Sequence, residues 1–525
     1  MRKNLLALSI AAMVGGLSGA ANAQVAVFTN TATTNLPDAA ATGAAAVGFV
    51  GPVSGNAPAA AQLTPTTTGV GHVLVVPYFT SQGAKHSLLN IVNTDQVNGK
   101  AVKLRYRGAS NSDDVFDITV YLSPGDVWAA DVAEENGFSR LETNDNSCTL
   151  PSKAEIKDPT IGQNGRFKTN RVRNGDAAQT REGYIEILNT ADIPPTLAGG
   201  ATANPLFTAI KHVNGVAPCT AAVMDLQATP LNFADVNSNN TPRARGYSWP
   251  TGGLFANWTI VDISTNASFS GEAVALRATP ANQIDVEGSG NVVWFPQTTD
   301  NVAQPNAGQL TADPLLATGA VRAAMYDFPD LSTPYTSGAA TPSAQANILA
   351  LQLQTRSVTN EYLTATTSGG FATDWVFSMP TRRYAVAVNY ATNSIAANNL
   401  VNAHFAAGVT GNVTLANGQI CVDAGNQRGF DREERSKTTF VISPDQGLRF
   451  CGETSVLTFN NATSAALGAQ IATQQIQTTF AEGWFTVQTP GQTGVGLPVI
   501  GYAAAKANAV NIGGTWVHRT KPNAN

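Results

Sequence analysis

Apolar and polar positions alternate with a period of two through much of the chain between residues 72 and 122. In Val102–Arg107, Val102, Leu104 and Tyr106 fall on one side and Lys103, Arg105 and Arg107 on the other, the pattern of a strand with one buried face and one face in water. The following stretch, Val115–Leu122, repeats it, with Phe116, Ile118, Val120 and Leu122 opposed to Asp117 and Thr119. The polar segment Gly108–Asp114 between them predicts a hairpin loop. Asp117 is expected across from Arg105, as a sheet-surface pair worth under ~1 kcal/mol. His72–Phe79 and Ser87–Thr94 are predicted strands before this pair. Ser123-Pro124-Gly125-Asp126 closes it, Pro presetting φ and Gly allowing φ > 0, and Trp128 just beyond is expected to plug the core.

Residues 134–182 are polar and irregular in pattern, and Gly183–Thr190 is the next predicted strand. Further strands are expected at Asn257–Ser264, Glu272–Arg277, Val292–Pro296, Asp374–Met379, Tyr384–Asn389, Thr438–Ile442, Val456–Phe459, Trp484–Val487 and Val499–Ala503. One helix is expected, from Ser343 to about Glu361, where Ile348, Leu349, Leu351 and Leu353 follow a helical period without interior Pro or Gly. The fold class is therefore mainly β, an antiparallel β-sandwich-type architecture with long loops and one or few helices. Two segments match, Glu182-Gly183-Tyr184-Ile185 and Glu482-Gly483-Trp484-Phe485, each an aromatic after Glu-Gly where a strand begins.

The ends set the expected organisation. Arg2 and Lys3, the apolar run Leu5–Val14 and the small-residue site Ala21-Asn22-Ala23 make up a secretory signal, with cleavage between Ala23 and Gln24. No Cys follows that site, which argues against a lipid anchor, and no later run has the length of a spanning helix. The expected divisions are a signal peptide (1–23), a low-complexity leader (24–70) in which Val25–Phe28 can add one strand to a sheet elsewhere, a β-rich first half (71–340) and a β-rich second half (341–525) opening with the helix.

Only 13% of the 525 residues are charged, against a typical quarter, and the net charge is −5. A chain without a concentrated basic footprint is no candidate for nucleic acid. Cys148, Cys219, Cys421 and Cys451 are an even set, read in an oxidising compartment as two disulfides. Of the three pairings, Cys148–Cys219 with Cys421–Cys451 is favoured, because each bridge then staples one half. No Cys-x-x-Cys occurs and no His lies near a Cys, so zinc is disfavoured.

Several stretches together resemble secreted proteins of Gram-negative bacteria described as cell-surface proteins. They are Leu89–Thr94, Arg105–Trp128, Thr373-Asp374-Trp375-Val376 leading into Pro380-Thr381-Arg382-Arg383, then Asp431–Glu434, Cys451–Asn460 and Gly514–Arg519. The resemblance implies envelope export and a β-rich body, and it carries no catalytic residues.

Candidate chemistry is sparse. There is no Gly-x-Ser-x-Gly elbow, and His72, His86, His212, His404 and His518 are dispersed with no His-Glu-x-x-His pair. Asp113, Asp114, Asp117 and Asp126 are close enough in sequence to suggest calcium, the one cofactor considered, although their spacing is not that of an EF-hand loop; turn capping and surface pairing are the competing reading. The Asp431–Glu434 cluster, flanked by Arg428, is expected to neutralise itself. Trp249, Trp258, Trp294 and Trp375 are candidates for stacking on sugar rings, with Trp258 and Trp375 expected in the core. The leading expectation is an exported envelope or surface protein, more structural or interactive than enzymatic, that associates with itself or with other envelope components. The alternative is a secreted or periplasmic protein that binds carbohydrate or a small ligand through its loops. Less favoured are a hydrolase and an outer-membrane barrel, which calls for a terminal aromatic where the chain has Asn525.

Overall fold

The alternating segments form antiparallel sheets joined by long loops, with only a few short helices. The computed structural model describes residues 26–29, 47–49, 58–197, 202–229, 242, 244–294, 297, 329–337, 339, 342–366, 369–397, 413–443, 447–489 and 496–521. In the first half a seven-stranded sheet runs, in spatial order, Cys148–Leu150, Asp114–Leu122, Gly99–Gly108, Glu182–Ile193, Val73–Thr80, Val274–Thr279 and Gln62–Pro65. A five-stranded sheet, Ala267–Glu272, Leu254–Asp262, Lys85–Asn93, Val127–Glu135 and Phe138–Glu142, packs over it. Between them lies the main core, in which Val102, Leu104, Tyr106, Ile118, Val120 and Ile187 meet Leu89, Ile91, Trp128, Trp258 and Ile260. Trp128 is fully buried there, as its position after the turn predicts.

The second half repeats the two-sheet plan. One sheet orders Ser436–Lys437, Gln427–Phe430, Glu482–Gln488, Ser357–Leu363 and Arg519–Lys521; the other orders Val441–Ser443, Thr473–Gln477, Thr454–Phe459, Phe371–Ser378, Ile500–Ala507 and Ile512–Val517. Only the Thr454–Phe459 and Thr473–Gln477 pair is parallel within these four sheets. The main core also takes in Val376, Val456, Leu467, Tyr502 and Ala504, and the Trp258 and Tyr502 rings meet at 4.6 Å, so apolar packing is continuous between the halves.

The basic face of the Gly99–Gly108 strand departs from expectation. Lys103, Arg105 and Arg107 are at most 1% exposed. The second face of the seven-stranded sheet is covered by residues 329–337, the helix Pro342–Leu353 and the turn at Arg382–Tyr384; Val73, Val75, Tyr184 and Leu188 pack against Leu331, Tyr335, Leu349 and Tyr384. Asp117 does pair with Arg105 across the strands, but in this dry layer and not on a surface. The Gly108–Asp114 loop is buried as well, because its polar groups find partners in the second half: Asn111 Nδ2 donates to Gly418 O at 2.9 Å, and Glu453 N donates to Ala109 O at 2.7 Å.

The expected helix ends at Leu353, not near Glu361; Ser357–Leu363 is a strand. Val358, Asn360 and Tyr362 bury alternately there, a period of two that overrides the helical stretch before it. The polar region 134–182 also holds strands Phe138–Glu142 and Cys148–Leu150 and the helix Lys153–Lys157, closed by a Ser152/Glu155 capping box. Ala26–Thr29 pairs with Val292–Trp294, so the leader does contribute a strand. The two Glu-Gly-aromatic segments solve one steric problem twice. A Cβ on Gly183 would lie 1.6 Å from Arg107 O, and one on Gly483 would lie 1.8 Å from Phe430 O, so neither position admits a side chain.

Disulfides join Cys148 to Cys219 and Cys421 to Cys451; the second links residues directly opposite in neighbouring strands. Two disulfides belong to a non-reducing environment. Among the described residues no helix is long and apolar enough to cross a membrane.

Candidate functional site

The four aspartates considered for calcium are not brought together. Asp114 accepts from Arg105 Nη1 at 2.7 Å and is also bound by Arg171. Asp117 is bound by Lys103 and accepts from Gln297 Nε2 at 3.0 Å. Asp113 takes the Tyr390 hydroxyl, while Asp126, at the far end of the same hairpin, accepts from Ser147 Oγ at 3.2 Å with His212 beside it. Guanidinium, ammonium and hydroxyl groups bind one oxygen or more of each of these carboxylates. Among the described residues no three His, Cys, Asp or Glu side chains form a metal-holding group.

The sheet's second face is instead a layer of paired charges. Arg107 Nε lies 3.1 Å from Glu186 Oε1, and its Nη2 lies 3.3 Å from Asp330 Oδ2, which also accepts from Tyr384 Oη at 3.0 Å. Burial pulls the Lys103 ammonium down to about 8, against the opposing charge of Asp117. Burial works to raise the Asp117 carboxyl, but Lys103, Arg105 and Arg171 outweigh it and hold the group below the usual carboxylate range. These side chains are at most 6% exposed, and the layer packs the described segments of the two halves together.

Two buried carboxylates have acceptor roles and, among the described residues, no ion-pair partner. Glu182 accepts from Gln82 Nε2 at 2.7 Å, Tyr78 Oη at 3.2 Å and the backbone N–H of Gln470 at 2.7 Å. Asp374 accepts from Ser464 Oγ, Ala466 N and Leu467 N at 2.7–2.9 Å. Burial raises both carboxyls, the hydrogen bonds opposing it. Both groups pin the 464–470 segment.

His72 and His518 are buried, each with Nε2 against a carbonyl oxygen at 2.9 Å, Gly288 and Val376 respectively; burial lowers each to about 3. His86 lies 2.6 Å from Asp131, and His404 is outside the described residues. Trp249, Trp258 and Trp375 are core residues, and the Trp294 side chain is outside the described set. In the Asp431–Glu434 cluster the neutralising partner is Arg435, which binds Asp431, whereas Arg428 lies over the Phe430 ring.

Open surface features lie elsewhere. A cleft of about 770 Å³ is lined by Glu135, Asn136, Phe138, Arg140, Gln163, Asn164, Arg166 and Asn170, with Pro159, Lys168 and Thr169. One wall is the hairpin of Val127–Glu135 and Phe138–Glu142, turned by Asn136 (φ 54°) and Gly137 (φ 87°). Asn-Gly with both φ positive is the turn that matches strand twist, a signal present in the sequence but obscured by charged neighbours. The other wall, residues 158–170, is fixed by Arg140 Nε donating to Asn164 O at 2.6 Å and by Phe167 N donating to Ser139 O at 2.9 Å. A second cleft, about 540 Å³, holds Arg449 paired to Asp423 at 2.8 Å. On the last hairpin Val510, Ile512, Trp516 and Val517 are 47–70% exposed. No family model, no curated protein and no solved structure matches the chain.

Proposed function

We propose that this is an exported envelope protein that works by contact, associating with itself or with other envelope components, and not by turning over a substrate. The observation that carries the reading is the apolar strip on the last hairpin. The strand Ile512–Val517 is the last of its six-stranded sheet and lies against Ala267–Glu272 of the first half, Thr515 Oγ1 donating to Ser270 O, while Ile512, Trp516 and Val517 stay exposed on a chain with few surface charges to repel a neighbour. Two disulfides, the amino-terminal secretory pattern and the likeness to secreted cell-surface proteins support export.

Light scattering across a concentration series, with fractionation of intact cells, tests the proposal. Concentration-dependent assembly that is lost in an Ile512→Lys, Trp516→Glu double variant is expected. A protein that stays monomeric throughout and is confined to the periplasm overturns it.

A further inference from the structure

The cleft between the 135–138 turn and the 158–170 loop holds a cation, Arg166, whose charge no carboxylate among the described residues matches. Arg140 in its wall is matched by Glu142 Oε1 at 2.9 Å and by Glu135; Arg432 is matched by Glu482 at 2.9 Å, and Arg449 by Asp423. Arg166 has no such partner: among the described residues no carboxylate lies within ion-pair distance, and its guanidinium lies over the Phe138 ring. Half-buried, with one face of the fork on an aromatic ring, it keeps its N–H edges for a planar oxyanion.

The rest of the lining specifies what carries that oxyanion. Asn136, Gln163 and Asn164 each bring a donor and an acceptor in one amide, the pairing that vicinal hydroxyls require, while Phe138 and Pro159 are the clearly apolar side chains of the described lining. Such a lining gives little to a hydrophobic ligand and much to a sugar. The volume falls in the ~300–1,000 Å³ range of small-ligand sites. The walls are set in advance: the Arg140–Asn164 and Phe167–Ser139 bonds fix one to the other, and a Cβ on Gly165 would lie 2.3 Å from Leu141 O, which holds the loop against the hairpin. A ligand therefore meets little ordering cost.

We propose that this cleft binds an acidic oligosaccharide, Arg166 pairing with a uronic-acid carboxylate while the surrounding amides meet the sugar hydroxyls. This assignment is independent of self-association through the last hairpin.

Titration calorimetry on the full chain, disulfides intact, tests it with trigalacturonic acid as the probe and its methyl ester and a sulfated trisaccharide as comparisons. Trigalacturonic acid is expected to bind, with esterification and Arg166→Gln each weakening it about tenfold or more. Arg166→Lys, which keeps charge but loses the fork, should fall between, and Gln163→Ala should weaken binding about threefold, all with unchanged melting temperature. Absence of binding by trigalacturonic acid at millimolar concentration, equal binding of the ester, preference for the sulfated probe, or an unaffected Arg166→Gln variant overturns the proposal.

Discussion

The backbone N–H of Gln470 donates to the carboxylate of Glu182 across 2.7 Å, linking a loop of the second half to a strand of the first. Tyr78 Oη and Gln82 Nε2 donate to the same carboxylate, and among the described residues it has no ion-pair partner. Glu182→Ala leaves all three donors buried without an acceptor, a loss of about 3 kcal/mol or more. Denaturant unfolding should register the loss, and amide exchange should show Gln470 among the first protections to disappear. Native protection at Gln470 in the variant would contradict the role.

The two buried imidazoles should make the protein sensitive to acid. His72 Nδ1 accepts from the N–H of Ala278 at 3.1 Å while Nε2 faces a carbonyl, so a second ring proton has no place to go. With folded values lowered from 6.5 to about 3, both histidines are neutral in either state above pH 6.5. Between pH 6.5 and about 3 only the unfolded rings take up protons, so their contribution to stability is full above that window and lost as pH falls. The slope is up to ~1.4 kcal/mol per pH unit for each ring. Glu182 and Asp374, with raised carboxyls, act in the opposite sense, so the test is a difference: a His72→Gln, His518→Gln variant should show a flatter acid limb than the parent in unfolding midpoints from pH 7 to 4. Parallel limbs would exclude it.

Arg107 is bound on two sides, by Glu186 and by Asp330, in a layer closed to bulk solvent. Arg107→Met removes the cation beside Glu186 and one of the two beside Asp330, which keeps Arg383 at 3.5 Å, and should cost about 3–5 kcal/mol. Adding Glu186→Gln should recover part of that loss, so the double-mutant cycle returns a coupling of more than about 1 kcal/mol; strict additivity would mean the pair is not interacting.

Each disulfide closes a long loop, 71 residues apart for Cys148–Cys219 and 30 for Cys421–Cys451. Chain-entropy reasoning gives about 4 kcal/mol for each. Paired Cys→Ser variants should lower the melting temperature independently of one another, and a scan under reducing conditions should reproduce the lower value.

The strands were legible wherever one side of the alternation was plainly apolar: Val102–Tyr106, Phe116–Leu122 and the Trp375 strand fall where the period of two places them. What local pattern cannot reveal is what covers the other side. Lys103, Arg105 and Arg107 carry the same alternation whether water or Asp330 and Arg383 lie above them, and those covering residues are more than two hundred positions away. The Phe138–Glu142 strand was missed because Arg140 and Glu142 sit in its short run and mask the period, although Asn136-Gly137 before it marks the turn. The cleft was illegible for a related reason: the Arg166 guanidinium and the Phe138 ring come together from different segments, which is a property of space and not of order along the chain.

The layer of opposed charges on the seven-stranded sheet also limits how the polypeptide can be divided. A chain halted near residue 325 would present Arg105, Arg107 and Glu186 to solvent with Asp330, Arg383 and Tyr384 not yet made. The amino-terminal portion would then carry a wet ionic face where the finished protein has a dry seam, so the last two hundred residues act as a lid that completes the first three hundred.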